Sequence, residues 1–350
     1  MTQLTHGGDW AGYRAQYGHD ALDFSANVSP LGLPQGVANA IAAALPHADR
    51  YPDPLCRALR AKLAPHEGIP AESILCGNGA ADLIFRLAWA AKPRTALVTA
   101  PTFAEYAAAL ESAGCAVRRH FLQAEVDFAV TDSILSSITP EVDMVFLCQP
   151  NNPTGQLTPL PLVERILRRC EACGALLVVD ECFLDFLPDC DTLTAKALLD
   201  SKNLLILKAF TKLYGMAGVR LGYCLCADTA LLEAMQAAGQ PWAVSSLAQA
   251  AGLAALDETA YVAQVRTLIA QQRPRLTAGL RALGLQVIEG SANYLLFRAP
   301  EPLGAALQQR GVCLRSCGNY PGLSAGWYRT AVRTAPENEQ LLQTMREVLK

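Results

Sequence analysis

The sequence predicts an α/β fold: a large domain around a mostly parallel central sheet, accompanied by a smaller α+β domain. Three observations carry this. Between about residues 36 and 240, short apolar runs alternate with longer helical patterns, as in strands buried on both faces and crossed over by helices. Several of those runs end in polar, Gly- and Pro-rich turns, the place where open α/β sheets carry function. Beyond residue 240 the order changes to two long helical patterns, then strand-like runs interleaved with helices. A length of 350 residues agrees with two domains.

Taken in order, residues 1–35 are rich in Gly, Asn, Ser and Pro and read as an extended arm. The large domain is expected over 36–240, and the arm is grouped with 241–350 in the small domain. Helices are expected over 80–91, 103–113 and 159–173, and buried strands over 95–99, 143–148, 175–180 and 204–207. Helical patterns then cover 245–256 and 261–283. Strand-like runs follow at 285–288, 294–298, 312–315 and 327–332, with helices over 302–309 and 336–349.

Composition narrows the function classes. Hydrophobic residues make up 51% and charged residues 17%, which excludes disorder. Lys and Arg total 29 against 32 Asp and Glu, so there is no basic excess to neutralise a phosphate backbone, and nucleic acid is not expected as a partner. Mean hydropathy is +0.19, yet no apolar run approaches the ~18 residues of a spanning helix. The first ten residues lack an apolar signal region. With no export signal, the 12 cysteines point to free thiols in a reducing cytoplasm. Cys170 and Cys173 form a CxxC, but no second CxxC follows at zinc spacing and there are only five His; no metal is expected.

The strand ends hold the chemistry. Val178-Val179-Asp180-Glu181 closes an apolar run with a carboxylate, and Cys148-Gln149-Pro150-Asn151-Asn152-Pro153-Thr154-Gly155 closes another in a tight turn. Cys76-Gly77-Asn78-Gly79-Ala80-Ala81 leads into a helix start, which favours anions. Leu207-Lys208-Ala209-Phe210-Thr211-Lys212 ends a fourth run, with Arg220 eight residues on. Singly, each has a simpler reading: Asp180 as a helix cap, the Asn-Asn-Pro-Thr-Gly segment as a turn, Lys212 as a surface charge. The chain, however, has only seven lysines against 22 arginines, and Lys212 stands among Phe210, Thr211, Leu213 and Tyr214. A desolvated lysine has a lowered pKa suited to Schiff-base formation.

In combination and order, these segments resemble the fold-type I pyridoxal-phosphate enzymes, the aspartate aminotransferase superfamily, over almost the whole chain. The resemblance implies an aspartate-aminotransferase-like fold and pyridoxal 5'-phosphate as cofactor. It makes Lys212 the Schiff-base lysine and Asp180 the partner of the ring nitrogen. Phe103 is implied to stack on the ring, with Tyr106 a second candidate. Backbone N–H groups of Gly79, Ala80 and Ala81, the Thr211 hydroxyl and Arg220 are implied to bind the cofactor phosphate. Asn152 is implied to hydrogen-bond the phenolic oxygen. Tyr51 resembles a tyrosine that reaches the cofactor phosphate of a neighbouring subunit, which implies a homodimer with shared sites. Many relatives have Tyr where this chain has Phe183; the ring there reads equally as core packing.

Within the superfamily the chain resembles the branch of histidinol-phosphate aminotransferases and threonine-phosphate decarboxylases. His6-Gly7-Gly8-Asp9, the segment 23–32, the segment 315–323 and Tyr328-Arg329-Thr330-Ala331-Val332-Arg333 fit the decarboxylase side. That implies decarboxylation of L-threonine O-3-phosphate to (R)-1-aminopropan-2-yl phosphate for cobalamin biosynthesis, with histidinol-phosphate transamination as the alternative. A substrate carrying a carboxylate and a phosphate is implied to meet Arg329 through the carboxylate. Arg315, His6, Gly7, Asn27 and Asn152 are the other implied contacts. Arg333 is a further helper if strand alternation places it on the face of Arg329.

Overall fold

A computed structural model describes residues 6–350; the first five residues of the expected arm lie outside the described residues. The chain opens with α1 (Trp10–Tyr17), β1 (Leu22–Asp23), α2 (Gln35–Ala44), α3 (Arg57–Glu67), β2 (Ile74–Gly77) and α4 (Ala80–Ala91). It continues through β3 (Thr95–Ala100), α5 (Ala104–Ser112), β4 (Ala116–Phe121), α6 (Ile134–Ser137), β5 (Met144–Cys148), α7 (Leu160–Cys173) and β6 (Leu176–Asp180). Next come α8 (Cys190–Leu193), β7 (Leu204–Ala209), α9 (Phe210–Leu213), β8 (Gly222–Cys226), α10 (Thr229–Ala238), α11 (Ser246–Ala255) and α12 (Thr259–Ala282). The last elements are β9 (Gln286–Ile288), β10 (Tyr294–Arg298), α13 (Leu303–Gln308), β11 (Val312–Cys313), β12 (Arg315–Ser316), β13 (Trp327–Ala331) and α14 (Ala335–Leu349).

Seven strands form the large sheet in the order β2-β8-β7-β6-β5-β3-β4. β4, β3, β5, β6 and β7 run parallel, and β8 is antiparallel to both its neighbours. Period-two alternation sends successive side chains into different layers. Leu177, Val179, Leu204 and Ile206 enter one buried cluster; Val178, Leu205, Leu207 and Phe146 enter the other. Helices on both faces thus explain the uninterrupted apolar runs. The same count places Asp180 on the face of Val178 and Phe146, and Glu181 and Lys208 on the opposite one.

A second, antiparallel sheet runs β12-β13-β10-β9. Its Tyr294, Leu296, Val287 and Trp327 join the cluster on one face of the large sheet. The elements expected from periodicity fall within a few residues of those observed, with two corrections. The arm is not simply extended: α1 lies within it, begun by the Asp9 side chain accepting from Gly12 N–H at 3.0 Å and ended at Gly18 with φ +78°. Its next segment, β1, pairs in parallel with β11. The run 312–315 is not one strand. β11 pairs with the arm, whereas Arg315 and Ser316 turn onto β13.

Candidate active site

The C-terminal ends of β2, β3, β5, β6 and β7 meet around a pocket of about 100 Å3. Ala80 and Ala81 line it from the start of α4, Phe103 from the turn after β3, and Cys148 and Asn152 from the end of β5 and the loop beyond. Asp180, Cys182 and Phe183 come from β6, and Ala209, Thr211, Lys212 and Arg220 from the β7–β8 connection. Residues scattered over 140 positions converge because parallel strands deliver their ends to one edge.

Lys212 is half-buried, and its side chain forms part of the pocket wall. Its Nζ lies 5.6 Å from the centre of the Phe183 ring. Burial lowers its pKa; Cys182 and Asp180 act against this, while Arg329 and Arg220 add to it. The free amine is therefore more accessible here than at an ordinary lysine. Phe183 touches both sides of the question raised by its sequence position. It is buried and packs edge-on against Tyr294 at 5.0 Å, yet it also lines the pocket.

Asp180 is buried, with Oδ1 accepting from Cys182 N–H at 3.0 Å and Oδ2 from the Tyr106 hydroxyl at 2.5 Å. Tyr106 is thus not a ring-stacking residue. It lies in the apolar layer behind Phe103, edge-on to it at 5.5 Å, and does not line the pocket. Phe103 occupies the lining position expected of it.

The phosphate end fits its expected anion with one adjustment. Gly79 has φ +81°, and a Cβ there would lie 2.6 Å from Arg220 Nη2; only glycine lets that guanidinium approach the helix start. The Gly79 N–H itself donates to Gly77 O at 2.8 Å. The amides left to face an anion are those of Ala80 and Ala81, with Thr211 beside them. Arg220 itself adopts φ +62° and donates to Ala217 O at 3.3 Å. A helix start, a hydroxyl and a guanidinium at one end, a nucleophilic lysine at the wall and a buried carboxylate at the other end match pyridoxal phosphate.

Above the pocket stand two arginines of the small sheet. Arg315 and Arg329 are register partners across β12 and β13, so they project on one face as close neighbours. Arg329 is held on several sides. It donates to Asn152 Oδ1, and to Ser25 O at 2.8 Å. With the Asn27 amide oxygen oriented by this network, Arg329 also donates to it from Nε at 3.1 Å and Nη1 at 3.2 Å. Its guanidinium lies 5.5 Å from the centre of the Tyr294 ring. Arg315 donates to Asn319 Oδ1 at 2.9 Å and lies over Tyr320. Arg333 is not a companion of these two. The strand ends at Ala331, and Arg333 is bound to Glu337 and to Asp23 O.

The arm reaches the same region. A Cβ on Gly7 would lie 2.4 Å from Ser25 O, so the missing side chain lets the arm lie against the carbonyl that holds Arg329. His6 is exposed, its Nε2 2.6 Å from Glu105 Oε1. It lines, with Gly7 and Arg315, a neighbouring cavity of about 610 Å3. Tyr51 is not brought to this chain's pocket. It is 79% exposed and stacks on Trp242 at 4.4 Å, another exposed aromatic. Sequence reasoning missed the supports: Tyr294, Ser25, Cys148 and Cys182. Cys182, next to Asp180-Glu181, Cys148, at the head of its strand-end segment, and Ser25, within 23–32, lay in segments that the sequence singles out; Tyr294 carried no such signal.

On the opposite face of the sheet a cavity of about 300 Å3 holds a buried ion network. Lys208 pairs with Asp185 at 2.8 Å and with Glu181 at 3.8 Å, and Lys196 with Glu67 at 2.8 Å. All 12 cysteines are free, ten of them buried. Among the described residues no group of His, Cys, Asp or Glu is placed to hold a metal, and no helix is long and apolar enough to cross a membrane.

The profile of the family described as aminotransferase class I and II matches residues 19–345. A threonine-phosphate decarboxylase of Salmonella typhimurium is 41% identical over 94% of this chain and 91% of its own length. A histidinol-phosphate aminotransferase of Lactiplantibacillus plantarum is 33% identical over 94% of this chain and 92% of its own. The crystal structure of the histidinol-phosphate aminotransferase from Clostridium acetobutylicum superposes with a TM-score of 0.87 at 26% identity, covering 93% of this chain and 98% of that one.

Proposed function

Because the chain belongs to the class I and II aminotransferase family of pyridoxal-phosphate enzymes, we propose that it decarboxylates L-threonine O-3-phosphate to (R)-1-aminopropan-2-yl phosphate. The observation that carries this reading is the register pair Arg315 and Arg329. Two guanidiniums side by side match a ligand that carries both a carboxylate and a phosphate. The relative at 41% identity acts on such a substrate by its name. Cobalamin synthesis is the pathway we assign to the product.

The roles are those the resemblance implies, and the geometry supports them. Lys212 supplies the amine that binds the cofactor covalently, its lowered pKa making it nucleophilic. Asp180 holds the ring nitrogen, Phe103 covers the ring face, and Asn152 serves the phenolic oxygen. Ala80, Ala81, Thr211 and Arg220 hold the phosphate, with Gly79 giving them room. When bound, the cofactor supplies an electron sink for bonds broken at the substrate's α-carbon. Arg329, fixed by Ser25, Asn27 and Asn152, receives the carboxylate. Arg315, with His6 and the Gly7 backbone, receives the substrate phosphate; for this His6 exchanges Glu105 for the ligand.

We further propose a homodimer in which Tyr51 completes the partner's phosphate site; the exposed Tyr51–Trp242 pair supports it. The domain division we favour joins residues 1–35 to 241–350 beside 36–240, supported by β1–β11 pairing. Histidinol-phosphate transamination is the second reading, favoured by the relative at 33% identity. Purified protein given O-phospho-L-threonine, with CO2 and amine measured separately, tests the first. Faster turnover of histidinol phosphate with an oxo acid would overturn it.

A further inference from the structure

We propose that Tyr106 is a positioning residue, acting on the cofactor through Asp180 by fixing the orientation of its carboxylate. This rests on the assignment of Asp180 to the ring nitrogen. The carboxylate accepts one bond on each oxygen, from Tyr106 at 2.5 Å and from Cys182 N–H at 3.0 Å. Turning about its terminal bond breaks both. A carboxylate acceptor strengthens each bond.

Tyr106 is built to remain a donor. It is fully buried, and its ring is stacked on Phe146 at 4.7 Å and set edge-on to Phe103 at 5.5 Å. Burial first, then the charge of Asp180, pushes its phenol well above the ordinary value, so the proton stays on the tyrosine. Its ring lies outside the pocket lining. Any influence on the cofactor therefore passes through Phe103 packing, through Asp180, or through Cys148, which also neighbours the hydroxyl and lines the pocket. The substitution Tyr106→Phe keeps the ring and removes only the hydroxyl, which separates ring packing from the other two routes; the Asp180→Asn background then separates Asp180 from Cys148.

The experiment titrates cofactor-free protein with pyridoxal phosphate, reading the dissociation constant for wild type, Tyr106→Phe, Asp180→Asn and the double variant. The expected result is an affinity loss of about tenfold for Tyr106→Phe in the wild-type background. In the Asp180→Asn background the loss should shrink to about twofold or less. The same factor in both backgrounds, or no loss in wild type, overturns the proposal. If Asp180→Asn itself leaves the affinity unchanged, the ring-nitrogen assignment fails and the proposal falls with it. If Tyr106→Phe loses Asp180→Asn-sensitive affinity, the proposal stands. A cofactor analogue with carbon in place of the ring nitrogen gives a second reading, less dependent on the fold of Asp180→Asn. Wild type and Tyr106→Phe should bind it alike; a Tyr106→Phe loss as large as with pyridoxal phosphate means the ring packing, and not Asp180, carries the effect.

Discussion

Lys208 and Lys212 stand four positions apart in one sequence segment and meet opposite surroundings. Lys208 faces Asp185, Glu67 and Glu181, and although burial works against its charge these carboxylates raise its pKa. Lys212 lies in the pocket, where burial dominates and lowers it. Of the two, only Lys212 has its free amine favoured by its surroundings. Lys212→Ala should therefore abolish the visible absorbance that survives dialysis, and borohydride should fix no cofactor to the chain; an adduct at another lysine would refute the assignment. The arginines divide the substrate in the same residue-by-residue way. Arg315→Ala should slow phosphothreonine heavily and narrow its advantage over threonine, because remote binding energy supports the rate. Arg329→Ala should slow both substrates by similar factors. Comparing kcat/KM for the two amino acids in each variant decides the matter, and equal slowing by Arg315→Ala would end the division of labour.

At the scale of elements, the start of α4 depends on one glycine. Gly79→Ala must place a Cβ 2.6 Å from Arg220 Nη2 on a residue with φ +81°. The guanidinium must shift, and a side chain at that φ costs about 1 kcal/mol or more. Cofactor affinity should fall by more than the thermal stability of the apo form suggests; unchanged retention of cofactor on dialysis would contradict it. The buried network under β7 makes a pH prediction. Burial pushes the Glu67 carboxyl up, but Lys208 and Lys196 outweigh it and hold it at about 2, against an ordinary 4.5. A depressed carboxylate stabilises the fold above its unfolded value and ceases to do so as pH falls toward the folded one. Denaturant melts should thus lose stability between pH 4.5 and about 2, and Glu67→Gln should flatten that limb while lowering stability at pH 7. Loss of equal size at both pH values would place the origin elsewhere.

For the whole molecule, the Tyr51–Trp242 pair is the feature that a single chain leaves unexplained. Tyr51→Phe should weaken cofactor retention by about tenfold, and Trp242→Ala should shift sedimentation toward the monomer and lower activity with it. A fully active monomer would remove the shared site. Much of this was legible in the sequence. Buried parallel strands must be apolar throughout, so β3, β5, β6 and β7 stood out as runs, and the residues at their ends followed from the rule that such strands deliver function to one edge. Asp180, Lys212, Arg220 and Asn152 were singled out in this way, and all four line one pocket. What the chain order did not contain is contact between distant segments. The sequence itself determined the α/β layering and the lysine, carboxylate and arginine at the strand ends, because those are set by local periodicity and turn chemistry. Tertiary structure alone decided that Tyr106 holds Asp180 from outside the pocket lining, that Arg333 reaches Asp23 O, and that Arg315 faces Arg329. Each of these is settled by which side chains from remote positions compete for the same partner, and by whether the strand continues long enough for its alternation to apply.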